Sequence, residues 1–213
     1  MYPKRVEPGF DELYSLAQSQ QGFFSASQAR RLGYSRQLQA YHVKEGHWLR
    51  KGRGIFRLKY FPRLTHQEDF VVVYLWALNR DGEPEGVLSH GTALYLHNLS
   101  TYVPPVTDLT VPKHFRRHSD PPGRMVLHKR TLARSDWERV HGLPVTTPLK
   151  TIIDLLDTRL IDYDYVLDGL KTALDRFLIT PKHMKEAGLS REQKERLVTA
   201  LARVNYAMSD EIR

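Results

Sequence analysis

The sequence predicts a mixed α/β protein: an N-terminal winged helix-turn-helix domain followed by a mixed α/β C-terminal domain. Three observations predict it. Residues 35–58 read as a Ser-capped helix, a Gly stop, and two short apolar runs joined by the basic turn Arg50-Lys51-Gly52-Arg53-Gly54. Residues 1–63 hold 12 Lys/Arg against 4 Asp/Glu while residues 64–213 hold 20 of each, so the whole net charge of +8 lies on the N-terminal third. Beyond Phe61-Pro62-Arg63 the charges balance and the pattern changes. These features divide the chain into a DNA-binding domain over 1–63 and a second domain over 64–213.

Each element has its own signal. Phe10, Leu13, Tyr14, Leu16 and Ala17 form an apolar stripe that predicts a first helix ending at Gln21-Gly22. Phe23-Phe24 is a short extended link, and Ser25 caps a second helix that stops at Gly33. Tyr34 leads to the third helix, capped by Ser35, with Leu38, Tyr41 and His42 as its buried face. Downstream, Thr65 caps an apolar helix over 66–79, residues 80–86 form a loop, and Ser89 caps a helix over 90–99. Residues 107–111 and 124–128 alternate as strands. The Pro-rich basic link 112–123 between them is expected to be exposed. Residues 137–140 and 143–146 pair around His141-Gly142, and Thr147-Pro148 is a cap followed by Pro at N1. Three further helices are expected over 163–177, 181–187 and 191–205, then a frayed tail from Met208.

A helix that reads DNA buries one face and offers the other. With Leu38, Tyr41 and His42 inward, the outward set is Arg36, Gln37, Gln39, Ala40, Val43 and Lys44. Arginine pairs with the acceptor edge of guanine, glutamine with adenine, and small apolar side chains touch thymine methyls. Arg36 and Gln37, near the helix start, are the expected base readers. Lys44, Arg50, Lys51 and Arg53 suit phosphates, where they supply affinity and salt dependence but no sequence information. Ser25, Ser27 and Ser35, at helix N-termini, are counted with the DNA-facing residues. A second basic set, Lys113, Arg116, Arg117, Arg124, Lys129 and Arg130, offers either another DNA surface or a face for a protein or RNA partner.

Other chemistry finds little support. The absence of cysteine excludes disulfides and thiolate metal sites. No apolar run has the length of a membrane span and the first residues lack a signal-peptide core, so a cytoplasmic protein is expected. His114 and His118 lack a third ligand nearby. Asp154, Asp157, Asp162, Asp164 and Asp168 lie in helical and turn sequence, where ion pairs and caps are the expected roles. No phosphate loop or nucleophile elbow occurs. No catalytic constellation, cofactor or metal is expected.

Residues 23–58, FFSASQARRLGYSRQLQAYHVKEGHWLRKGRGIFRL, resemble the winged domain of AbiEi-family antitoxins of abortive-infection (type IV) toxin–antitoxin systems. SHGTALYLHNL over 89–99 is similar to that family's short helix after the linker. GLPVTTPLKTIIDLL over 142–156 is similar to its G-x-P-V-T-x-P-x-x-T-x-x-D segment. The resemblance spans roughly residues 10–180. It implies an N-terminal domain that binds repeats in the operon's own promoter and represses it, and a C-terminal domain tied to neutralising a nucleotidyltransferase-like toxin, by contact or otherwise. The alternative is a winged-helix transcription factor whose second domain senses a ligand or dimerises. A targeted nuclease is a third reading.

Overall fold

The computed structural model describes residues 9–62, 68–79 and 81–205. The expected Thr65 cap, Arg63, Arg80, the first eight residues and the tail from Met208 lie outside them. The fold class is the expected one, with helices and strands mixed in two sheets. The chain forms two compact units. The first holds the described residues up to Gly86 together with His114–Met125 and His141–Leu143, and the second holds Val87–Lys113, Val126–Val140 and the chain from Pro144. The first unit thus extends past the expected boundary at residue 63.

In the first unit the order is α1 (Phe10–Ser19), β1 (Phe23–Ser25), α2 (Ala26–Arg31), α3 (Arg36–Lys44), β2 (Trp48–Gly52), β3 (Ile55–Leu58) and α4 (Glu68–Trp76). The strands form an antiparallel sheet of order β1-β3-β2. Gly52 pairs with Ile55, so Arg53 and Gly54 alone make the wing turn. Gly54 takes φ +69°, a left-handed conformation open to glycine at no steric cost. Its carbonyl accepts from the Ala26 backbone N–H at 2.8 Å, which ties the wing tip to the start of α2. The core gathers Leu13, Ala17, Phe24, Ala29, Tyr34, Trp48 and Phe56. Phe24 meets Trp48 edge-on at 4.7 Å, a favoured aromatic geometry.

Helix α4 packs on β1 and β3, which is why the first unit outruns residue 63. Its residues Val71–Trp76 are all buried, as the apolar run predicts. The link expected to be an exposed loop is partly structural: Phe115 is buried and lies 5.8 Å from the Trp76 ring.

The second unit comprises, apart from the first residue of β6 and of β8, β4 (Val87–Leu88), α5 (His90–Leu96), β5 (Thr107–Val111), β6 (Met125–Lys129), β7 (Trp137–Val140), β8 (Leu143–Thr146), α6 (Pro148–Thr158), α7 (Tyr163–Asp175), α8 (Pro181–Glu186) and α9 (Arg191–Arg203). Its sheet runs β6-β5-β4-β8-β7, with β4 antiparallel to β5 and parallel to β8. The two-residue β4 has no sequence signature, being too short to alternate. Leu94, Ile152, Ile153, Leu170 and Leu201 belong to an apolar cluster built from α5, α6, α7 and α9. Thr147 accepts from Lys150 N–H and Pro148 sits at N1, so α6 starts where the cap-then-Pro pair predicts. Ser89 does not cap α5. Its hydroxyl accepts instead from Thr110 Oγ1 at 2.8 Å and lies 2.9 Å from His90 Nδ1.

Candidate nucleic-acid interface

Two capped helices position the interface. Ser25 Oγ accepts from the Gln28 backbone N–H at 3.1 Å, and Gln28 Oε1 in turn accepts from the Ser25 backbone N–H at 2.8 Å. This is a capping box with glutamine. Gln28 also exchanges amide hydrogen bonds with Gln20, so both buried side chains are satisfied. Ser35 Oγ accepts from Leu38 N–H at 3.2 Å and opens α3 as expected.

The exposed face of α3 is rotated relative to expectation. Gln39, expected to face DNA, is 5% exposed. Its amide donates to the Tyr34 carbonyl at 2.8 Å and to the Ala26 carbonyl at 3.1 Å, tying α3 to the preceding helix and turn. Val43, also expected outward, packs on the core. Tyr41, expected inward, is 52% exposed. His42 keeps its inward place and stacks on Trp48 at 4.8 Å. The exposed stripe is therefore Arg36, Gln37, Ala40, Tyr41 and Lys44, at spacings of i, i+1, i+4, i+5 and i+8. The polar side chain of Gln39 takes the interior position because its amide donates there to the Tyr34 carbonyl, which lies outside any helix, and adds a second bond to the Ala26 carbonyl of α2. Gln39→Ala is expected to destabilise the winged unit by about 1–3 kcal/mol, through the two lost amide bonds and the Tyr34 carbonyl left without its donor. Thermal or urea unfolding of the full chain measures this, and an unchanged midpoint would leave the bonds without energetic weight.

Wing cations differ in availability. Arg50 and Arg53 are exposed, with the Arg50 guanidinium 5.5 Å from the Phe56 ring. Lys51 is engaged internally, 3.2 Å from Glu68 Oε2. Arg57, which carried no sequence expectation, is buried, lies 3.5 Å from Glu68 Oε1 and donates to the Phe61 and Pro62 carbonyls. Ser25 is buried within its cap and hydrogen-bonded to Ser27, which is partly exposed.

The second basic set is divided between the units, although all six residues are exposed. Arg116, Arg117 and Arg124 fall in the first. Arg117 donates from Nε to the Trp76 carbonyl at 2.7 Å and from Nη2 to the Trp76 and Leu78 carbonyls, answering groups that the end of α4 leaves open. Lys113, Lys129 and Arg130 fall in the second. Arg130 lies 2.8 Å from Asp154 Oδ1, an oxygen that Lys150 also contacts. Asp154 is 1% exposed, in keeping with the expected ion-pair role.

Near that pair lies a buried polar centre that sequence reasoning missed. His90 is stacked on His128 at 3.7 Å, and His128 Nε2 donates to Asp108 Oδ1 at 2.9 Å. Burial first, then the neighbouring His128, pushes the His90 imidazole down to about 3. Burial likewise lowers His97, whose Nε2 lies 2.7 Å from the Thr146 carbonyl. His90 also takes φ +49°, and no sequence pattern announces a buried histidine in that conformation. Among the described residues no group of three His, Asp or Glu is placed to hold a metal ion.

A family model described as "Transcriptional regulator, AbiEi antitoxin" matches residues 11–59. Residues 11–59 are therefore AbiEi-like. The AbiEi match covers α1 through β3 and ends before the second unit, so residues 89–99 and 142–156 lie beyond it. No curated protein matches the chain. Among solved structures, the crystal structure of the RV2827C protein from Mycobacterium tuberculosis is similar, with a TM-score of 0.58 at 10% identity. That likeness covers 98% of this chain and 86% of the other, and at such identity it concerns the fold alone. The AbiEi-like segment is the one that carries the exposed stripe and the wing. No helix among the described residues is long and apolar enough to cross a membrane.

Proposed function

We propose that this protein is a cytoplasmic antitoxin that binds repeats in its own promoter, represses the operon and counteracts a nucleotidyltransferase-like toxin. The observation that carries the DNA-binding part is the stripe Arg36, Gln37, Ala40, Tyr41 and Lys44 on α3, beside a wing with Arg50 and Arg53, within an AbiEi-like segment. Arg36 and Gln37 read bases from the first turn of α3, and Ala40 and Tyr41 follow one turn later. Lys44, Arg50 and Arg53 hold phosphates on either side. No catalytic residue is assigned. The antitoxin part rests on the family description and on the resemblance of residues 142–156.

Arg36→Ala is expected to weaken binding to the chain's own upstream region by about 1–3 kcal/mol, with a much smaller loss on random duplex. Fluorescence anisotropy on both duplexes at fixed salt measures it. Equal losses on the two would remove Arg36 from base reading. Co-expression with the adjacent gene tests the antitoxin part: growth arrest by the neighbour alone, relieved by the full chain, is the expected result.

A further inference from the structure

One cleft of the winged unit is not explained by base reading. It has a volume of about 410 Å³ and lies between the start of α2, the wing turn, the end of α4 and the returning segment at Arg117 and Ser119. Three arginines from three separate stretches line it, Arg30 on α2, Arg53 on the wing tip and Arg117. None of its lining residues is acidic. Among the described residues neither Arg30 nor Arg53 has a carboxylate partner, and Arg117, whose guanidinium lies 5.9 Å from the Trp76 ring centroid and feels the more distant Glu85, spends Nε and Nη2 on carbonyls. Like charges gathered in a concavity repel, and an anion relieves that repulsion with charge-assisted hydrogen bonds. Ser27 adds a hydroxyl, while Trp76 and Leu78 supply an apolar wall.

We infer that this cleft binds a phosphate ester. Guanidinium groups match phosphate oxygens in a bidentate manner, and the apolar wall suits the organic part of a nucleotide. The same chemistry comes from two sources, a free nucleoside triphosphate or the backbone of bound DNA. In the first case the cleft is an effector site whose occupant engages Arg53 and so competes with the wing's hold on DNA. In the second it extends the DNA footprint from the wing to α2. The second case deepens the DNA-binding reading above and rests on it, whereas the first does not.

Arg30→Ala is the informative variant, because Arg30 is exposed and lies outside the reading face of α3. Wild-type, Arg30→Ala and Arg53→Ala full-length chains would be titrated with ATP, and separately with a random duplex across a salt series. A free-nucleotide site predicts ATP binding that weakens about tenfold in each variant, with unchanged thermal unfolding. A backbone site predicts no ATP binding, but a random-duplex salt slope smaller by about one in Arg30→Ala. If Arg30→Ala changes neither ATP affinity nor the duplex slope, the inference is overturned. Arg36→Ala keeps the two claims apart: loss of operator preference there stands whatever Arg30→Ala does, and ATP binding stands whatever Arg36→Ala does.

Discussion

Asp154→Ala is expected to lower the unfolding free energy of the chain by about 3 kcal/mol, because it strips the shared carboxylate from two cations at once. The Asp154 side chain is 2% exposed and that of Lys150 17%, so the Lys150 ammonium would lose its counterion with little water to replace it. Arg130 is half-exposed and recovers more of its hydration. Urea unfolding of the full-length variant gives the value, and Asp154→Leu separates charge from packing. A midpoint shift for Asp154→Ala within that of an ordinary surface substitution would mean that the centre carries no stability.

Acid is expected to weaken the same unit. The folded chain keeps His90 neutral until about pH 3, whereas the imidazole of an unfolded chain accepts its proton near its ordinary 6.5. Between those values the unfolded state binds more protons, so stability falls as pH falls, and above 6.5 the term vanishes. From pH 7 to pH 5 the loss is about 2 kcal/mol from His90, and His97 acts in the same direction. His90→Asn should flatten this dependence, since asparagine tolerates the φ of +49° and does not titrate there. Unfolding free energies of wild type and variant at the two pH values provide the check. Full acid sensitivity in the variant would assign the effect to another group.

How legible these features are in the sequence depends on how local their causes are. Ser25, Ser35 and Thr147 were readable as caps because a cap is decided within three residues. The strands at 107–111 and 143–146 were readable from alternation and turn residues. The α3 face was misjudged at Gln39 and Tyr41 because the deciding partners, the Ala26 and Tyr34 carbonyls, belong to another helix and a turn. In sequence Arg117 belongs to a basic set offered to DNA or to a partner, since nothing near it reveals that the last carbonyls of α4 accept from it. The His90–His128 stack joins residues 38 positions apart and could not be read from spacing at all.

The return of Arg117 to α4 has a consequence for synthesis. A ribosome delivers the helix and wing by residue 62 and α4 by residue 76, but the guanidinium that answers the last carbonyls of α4 emerges some forty residues later, at position 117. At translation rates of about 5–20 residues per second, that interval lasts several seconds. During it the nascent winged unit carries its exposed basic stripe while the donor that answers the end of α4 is still to be made. The contact that closes the end of α4 is thus the late one in synthesis, and a chain truncated before residue 117 lacks the donor for the Trp76 and Leu78 carbonyls.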